Sequence, residues 1–116
     1  MEDIVRIMKS LSDGTRLRIM SLLLNSKKEV CICELVDALK LAQYNVSKHM
    51  KELKYSGLVN ERREGKFIYY SVIPSKDKYL TSIFEAVQSL PEKTLEDDKK
   101  RLCCRLLDRV KGKCCG

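Results

Sequence analysis

The sequence lacks any apolar run long enough to cross a bilayer, which argues against a membrane-spanning protein. Its first residues, Met1-Glu2-Asp3, are acidic, and the polar break at Ser12-Asp13-Gly14 comes too early for an export signal. We therefore expect a cytoplasmic protein. The sequence also lacks a Cys-x-x-Cys redox motif, a phosphate loop, a cofactor fingerprint and a cluster of general bases, so we expect that it is not an enzyme.

Histidine is scarce, since the chain contains one, whereas cysteine is abundant, with six in 116 residues. In a secreted chain that count would predict three disulfides, but in a reducing cytoplasm it indicates metal binding or redox chemistry. Zinc sites commonly combine cysteine with histidine or carboxylate, or use four cysteines. Zinc is therefore less favoured than an ion that binds thiolates alone.

Acidic residues are fewer than basic ones: the chain has 16 acidic and 23 basic residues, and its net charge is +7. Such an excess favours a polyanionic partner, most commonly nucleic acid. The length suits a single domain, and a core of this modest size would gain from a partner subunit. We find no internal repeat, low-complexity segment or interdomain linker.

Hydrophobic periodicity predicts a mostly α-helical fold with a small β-hairpin (α+β), arranged as a winged helix-turn-helix. Predicted helices cover the first residues to Leu11, the segment after the cap at Ser12 or Asp13, and about Ile32–Leu39, Gln43–Tyr55, Tyr79–Leu90 and Thr94–Lys111. Extended segments Leu58–Glu61 and Phe67–Ile73 flank a polar turn, 62–66. We assign 1–111 to the winged helix-turn-helix domain with N- and C-terminal dimerisation helices, and 112–116 to a cysteine-containing tail.

The second helix of a helix-turn-helix pair lies in the major groove, where its N-terminal residues meet base edges. Amide side chains pair with adenine, and basic residues at a hairpin tip suit phosphates or the minor groove. A charged helix face is more often merely solvated, but two helices followed by a basic hairpin favour DNA binding. The predicted DNA-binding residues are Gln43, Tyr44, Asn45, Ser47, Lys48, His49, Lys51, Lys54, Arg62, Arg63 and Lys66. His49 also suits a role in fixing the helix against its neighbour.

Two segments resemble the ArsR/SmtB family of metal-sensing repressors. The run Asp13–Ile19 is similar to the family's helix-2 signature, and Gln43–Met50, followed by Leu53 and Gly57-Leu58-Val59, is similar to its recognition helix. The resemblance covers about residues 1–90. It implies a homodimer joined through the first and C-terminal helices, which binds an imperfect inverted repeat in a promoter.

Cys31-Ile32-Cys33 opens the helix before the recognition helix, where arsenic-, antimony-, cadmium- and lead-sensing relatives carry a Cys-x-Cys. Soft thiolates select soft ions, and a helix N-terminus favours the thiolate form. The resemblance implies a third cysteine three residues after the second, but Val36 occupies that position. Because trivalent arsenic is expected to take three sulfurs, a third ligand must come from elsewhere, or the ion binds elsewhere.

The C-terminal region supplies four further candidate thiols, Cys103-Cys104 and Cys114-Cys115. Some relatives carry their arsenic cysteines in the last helix, and Arg101, Arg105 and Lys113 would favour thiolates here. About 15 Å of helix separates the two pairs, so they share one ion only if the tail folds back or the other subunit contributes. Alternatively, Cys103 is an ordinary buried residue of the dimer and the last pair a frayed tail.

The sequence thus predicts a repressor that a thiophilic ion, As(III) or Sb(III) before cadmium, lead or zinc, releases from double-stranded operator DNA. One alternative is a redox-sensing repressor of the same fold, in which cysteines oxidise instead of binding an ion. A third hypothesis is a thiol carrier or reductase, which leaves the helix-turn-helix unexplained.

Overall fold

The computed structural model describes residues 1–110, which fold into six helices and a three-stranded antiparallel sheet. The elements in chain order are α1 (Glu2–Leu11), α2 (Gly14–Ser26), β1 (Val30–Cys31), α3 (Ile32–Leu39), α4 (Gln43–Tyr55), β2 (Val59–Glu64), β3 (Phe67–Val72), α5 (Lys78–Gln88) and α6 (Lys93–Val110). The predicted helical fold with a hairpin is confirmed. None of the described helices is long and apolar enough to cross a membrane.

Helices α2, α3 and α4 form the helix-turn-helix and share one core. Of the two predicted caps, Ser12 and Asp13, Asp13 caps α2, because its carboxylate accepts a hydrogen bond of 3.1 Å from the Arg16 backbone N–H. Lys40 ends α3 in the left-handed conformation, with φ of 55°. Met20, Leu35 and Met50 from the three helices are fully buried in this core, so packing fixes the angle at which α4 is presented.

The hairpin differs from the prediction at its first strand. β2 extends to Glu64, so Arg62 and Arg63 belong to the strand and not to the turn. The turn itself is the two residues Gly65-Lys66, and Gly65 has a φ of 61°, which glycine adopts without steric cost. Cross-strand pairing sets this boundary, since Arg62 and Arg63 pair with Tyr69 and Ile68.

A third strand was not predicted. β1, only two residues long, pairs antiparallel with β3, placing Val30 opposite Tyr70 and Cys31 opposite Tyr69. The order in the sheet is β1-β3-β2. The first cysteine of the Cys-x-Cys motif is therefore a residue of the wing sheet as well as the residue that precedes α3.

α6 packs antiparallel to α3 and is tied to it through a buried carboxylate. Asp98, fully buried, accepts bonds from Arg18 of α2 at 2.8 Å and from Arg101 at 2.7 Å. The same two guanidinium groups donate to the last carbonyls of α3, at Leu39 (2.8 Å) and Ala38 (2.6 Å). The network therefore joins α2, the end of α3 and α6 just before the chain turns into α4.

Candidate DNA interface and thiol site

α4 presents a polar face to solvent. Its buried residues are Val46, Met50 and Leu53, which point into the core at helical spacing. Most of the predicted DNA-binding side chains lie on the opposite, exposed surface: Gln43, Tyr44, Asn45, Lys48, Lys51 and Lys54 are exposed, and Ser47 is half-buried. Tyr44, 76% exposed, has no packing role to explain it. The helix therefore has one buried apolar face and one exposed polar face, as binding in a DNA groove requires.

His49 faces inward rather than outward. Its Nδ1 accepts a bond of 3.3 Å from the Arg16 guanidinium and lies 3.8 Å from the Asp13 carboxylate. Burial raises the pKa of Asp13, but the hydrogen bond from the Arg16 backbone N–H and the positive charge of the Arg16 guanidinium outweigh it and lower that pKa below 3.8. The contacts fix α4 against the start of α2, and they favour a positioning role for His49 over a base-reading one.

The basic residues of the wing are not equivalent. Each nitrogen of the Arg62 guanidinium has a carboxylate partner: Nε and Nη2 bond to Glu29 at 2.8 and 2.9 Å, and Nη1 lies 3.5 Å from Glu64. Arg63 has a looser partner, Glu61 at 3.6 Å, and Lys66 is exposed at the turn. Glu29 carries no local sequence signal for this role, because it lies 33 residues from Arg62.

Cys31 and Cys33 lie together at the start of α3, as the Cys-x-Cys spacing predicted. Their Sγ atoms are 3.1 Å apart; Cys31 is fully buried and Cys33 is half-buried. The Cys31 backbone N–H donates to the Glu34 carboxylate at 2.8 Å, which closes the first turn of the helix. The two sulfurs thus converge where strand β1 becomes helix α3.

α6 reaches this pair with a cation. Arg105 donates from Nη2 to Cys33 Sγ at 3.8 Å and from Nε to Asp37 at 2.7 Å. The sequence placed Arg105 beside Cys103 and Cys104, and the fold also brings it to Cys33, 72 residues away.

Cys103 and Cys104 are exposed and lie on different flanks of α6. Cys104 lines an open cleft with Asp37, Arg101 and Arg105, whereas Cys103 lines a cavity of about 210 Å³ between α6 and α2. Cys103 is not buried within the protomer. Cys114 and Cys115 lie outside the described residues. Within residues 1–110, no three cysteine, histidine or carboxylate side chains converge on one point that suits an ion.

Comparisons with known proteins found relatives of this chain in both sequence and structure. The model of the family described as "Bacterial regulatory protein, arsR family" matches residues 13–61, which run from the α2 cap into β2. Arsenic resistance transcriptional regulator ArsR1 of Pseudomonas putida is 34% identical over 83% of this chain and 74% of its own length. This chain belongs to the arsR family. The family resemblance seen in the sequence is therefore confirmed.

Two further matches agree with the arsR assignment. The arsenical resistance operon repressor of Escherichia coli is 31% identical over 85% of this chain and 94% of its own length. A homodimeric winged helix-turn-helix DNA-binding domain from Mycobacterium bovis superposes with a TM-score of 0.62 at 30% identity, covering 75% of this chain and 76% of that one. These matches are regulators of transcription and not enzymes, so this arsR-family chain is a winged helix-turn-helix transcriptional regulator.

Proposed function

We propose that this chain is a homodimeric repressor that leaves its operator when arsenite or antimonite binds its cysteine thiolates. The approach of Cys31 Sγ to within 3.1 Å of Cys33 Sγ carries the proposal. These sulfurs open α3, the helix that leads into the DNA-reading helix α4. A soft ion held here would act directly on the element that carries DNA recognition. The names of the arsenic-regulator relatives support the same class of inducer.

Homodimer formation is supported by an unpartnered apolar face on α1. Ile4, Val5 and Met8, spaced at one and three residues, are 37%, 41% and 49% exposed, and Met1 lies beside them at 91%. Contiguous exposed apolar surface of this kind marks an interaction site. We place the two-fold contact on α1 and the C-terminal helices, which leaves both copies of α4 free to face an inverted repeat.

DNA contact is assigned to the exposed face of α4 and to the tip of the wing. Gln43 and Asn45, in the first turn of α4, would read base edges, while Lys48 and Lys51 would bind phosphates. Arg63 and Lys66 would follow the backbone at the wing. The positive net charge of +7 supports binding to a polyanion.

The ion needs one more ligand than the described residues supply. The sulfur atoms of Cys31 and Cys33 converge, and α6 runs toward them, since Arg101 meets Ala38 and Arg105 meets Cys33. Val110, the last residue of α6, lies about 7.5 Å further along the helix axis than Arg105. We propose that Cys114 or Cys115 contributes the third thiolate, from the same or the partner subunit. Cadmium, lead and zinc rank below arsenite, and for zinc the reason is that its structural sites almost always have four ligands.

Cys103 and Cys104 form the competing site. Neighbouring residues on a helix point about 100° apart, and these two thiols line different cavities. A single ion would therefore require the last turns of α6 to open before both sulfurs could bind it. For this reason we rank the pair below Cys31 and Cys33 as ligands for one ion.

The test is release from an operator. Duplexes enriched from a random library by the protein itself supply the probe, and fluorescence anisotropy at fixed protein concentration follows release as arsenite, cadmium or zinc is added. We expect arsenite to weaken DNA binding at least fivefold, the lower range of ordinary allosteric coupling, and by reciprocity DNA must weaken arsenite binding equally. Tight DNA binding that none of the ions changes would contradict the proposal.

The short sulfur–sulfur distance also favours a redox alternative, because two thiols in contact are readily oxidised. Peroxide would then replace the ion as the signal, and a reductant would restore DNA binding. Release by peroxide in the absence of arsenite sensitivity would select this alternative.

A further inference from the structure

We propose that the ion signal reaches DNA through the wing, and that Glu29 and Arg62 are the positioning residues that link β1 to it. The inference rests on the proposed function. It also reassigns Arg62, which the sequence predicts to contact phosphates or the minor groove. The starting observation is that Cys31 is a residue of the wing sheet, paired with Tyr69 of β3.

A ligand at Cys31 and Cys33 acts on the junction of β1 and α3. The two Sγ atoms lie 3.1 Å apart, in direct contact. A soft ion bound by both sulfurs replaces this contact with bonds to the ion. Cys31 is fully buried, and its N–H is held by Glu34, so its sulfur has no room to rotate freely. Any change in the position of the Cys31 sulfur is therefore passed to the backbone at this junction.

Glu29 passes such a movement to the wing. It precedes β1 directly, and its carboxylate holds Nε and Nη2 of Arg62 on β2 at 2.8 and 2.9 Å. The Tyr69 ring stacks on the face of the same guanidinium, with 4.7 Å between the Arg62 Cζ and the ring centroid. Arg62 and Tyr69 are also partners across β2 and β3. These contacts tie both wing strands to Glu29, the residue next to Val30.

A second connection leads from the same strand to α4. Val30 pairs with Tyr70, whose buried hydroxyl donates to Glu61 at 3.3 Å, and Glu61 accepts from Lys54 of α4 at 3.4 Å. Burial, followed by the negative charge of Glu61, raises the pKa of Tyr70 to about 12, so the hydroxyl keeps its proton and remains a donor. A shift of β1 would therefore displace both the wing and α4, the two elements that we assign to DNA contact.

The occupied guanidinium makes Arg62 the poorer phosphate ligand of the two wing arginines in this assignment. A guanidinium binds phosphate through the same paired N–H groups that Glu29 now occupies. Arg63 is 68% exposed, has only the looser partner Glu61, and takes the phosphate-binding role in this assignment. The two neighbouring arginines therefore have different functions, which separate variants can distinguish.

The first arm of the test measures the salt dependence of operator binding for Arg62→Gln and Arg63→Gln. Each phosphate contact contributes about 0.9 to the slope of log affinity against log salt. We expect Arg63→Gln to lower the slope by about this amount and Arg62→Gln to leave it unchanged. An equal loss of slope in both variants would overturn the reassignment of Arg62.

The second arm measures how much arsenite weakens operator binding in Glu29→Ala. Glu64→Ala is the matched control, because it removes an equal charge beside Arg62 from a residue outside β1. We expect Glu29→Ala to reduce the weakening at least threefold, with unchanged arsenite binding measured by thiolate absorbance, and Glu64→Ala to match the wild type. Wild-type-like release in Glu29→Ala would overturn the coupling alone. A wild-type protein that arsenite does not release would overturn both the coupling and the proposed function.

Discussion

Replacing Asp98 with asparagine tests whether the buried carboxylate holds α6 on the DNA-binding core. Asp98 is fully buried and carries charge-assisted bonds from Arg18 and Arg101. Asparagine keeps the volume but removes the charge and turns an amide N–H₂ toward one guanidinium. The two arginines are then left facing the carbonyls of Ala38 and Leu39 without their anion.

The expected loss of stability follows from the burial of Asp98. Removing one partner of a buried ion pair costs about 3–5 kcal/mol. The Arg18 and Arg101 side chains retain 22% and 31% exposure, so water partly replaces the lost carboxylate and the lower end applies. We therefore expect Asp98→Asn to lower the free energy of unfolding by about 3 kcal/mol. With a urea m-value of about 2 kcal/mol/M, the midpoint falls by about 1.5 M.

Urea unfolding followed by circular dichroism at one fixed protein concentration measures this loss, since a dimer's midpoint depends on concentration. Asp97→Asn is the control: it makes the same charge change at the neighbouring position, where the structure of residues 1–110 shows no ion pair, and should cost less than about 0.5 kcal/mol. A loss below about 1 kcal/mol in Asp98→Asn, or equal losses in the two variants, would refute the network's structural role.

Three further predictions concern single residues. Asp13→Ala should lower the free energy of unfolding by about 1 kcal/mol through loss of the α2 cap. Because the pKa of Asp13 is lowered in the folded state, this difference from wild type should be present above about pH 4 and shrink in acid. Urea midpoints measured at pH 7 and pH 3 would show it. Tyr70 keeps its proton in the folded state to about pH 12 but loses it near pH 10 in the unfolded chain. The free energy of unfolding should therefore fall between pH 10 and pH 12 in wild type, and fall less in Tyr70→Phe. Identical dependence of stability on pH in the two proteins would contradict this. Leu35→Ala, at a fully buried position, should cost 2–5 kcal/mol, and a cost near zero would mean that α3 does not pack as described.

The sequence predicted those parts of the fold that local chemistry determines. The periodicity of Val46, Met50 and Leu53 predicted α4 and its inward face, and the structure confirms both. A cap at Ser12 or Asp13 was also predicted, and Asp13 is the residue that caps α2. Each of these features depends on residues within a few positions of one another, so pattern and propensity were sufficient.

Features that depend on distant residues were missed. Val30-Cys31 is too short for a strand pattern and becomes a strand only because β3 lies beside it. The partner of Arg62 is Glu29, and the partner of Cys33 is Arg105, each brought close by tertiary packing. Such contacts have no local signature, which is why the sequence placed Arg62 in the turn and did not connect Arg105 with Cys33.

The most direct test of the account is arsenite-driven release from operator DNA in three proteins: wild type, Cys31→Ser, and Cys103→Ser combined with Cys104→Ser. Serine keeps the size of cysteine but supplies no soft thiolate. We predict that wild type and the double variant leave DNA at similar arsenite concentrations. Cys31→Ser should stay bound at these concentrations, and its affinity for DNA in the absence of arsenite should equal that of the wild type. Release of Cys31→Ser at the wild-type concentration would contradict the assignment of the sensing site to the start of α3.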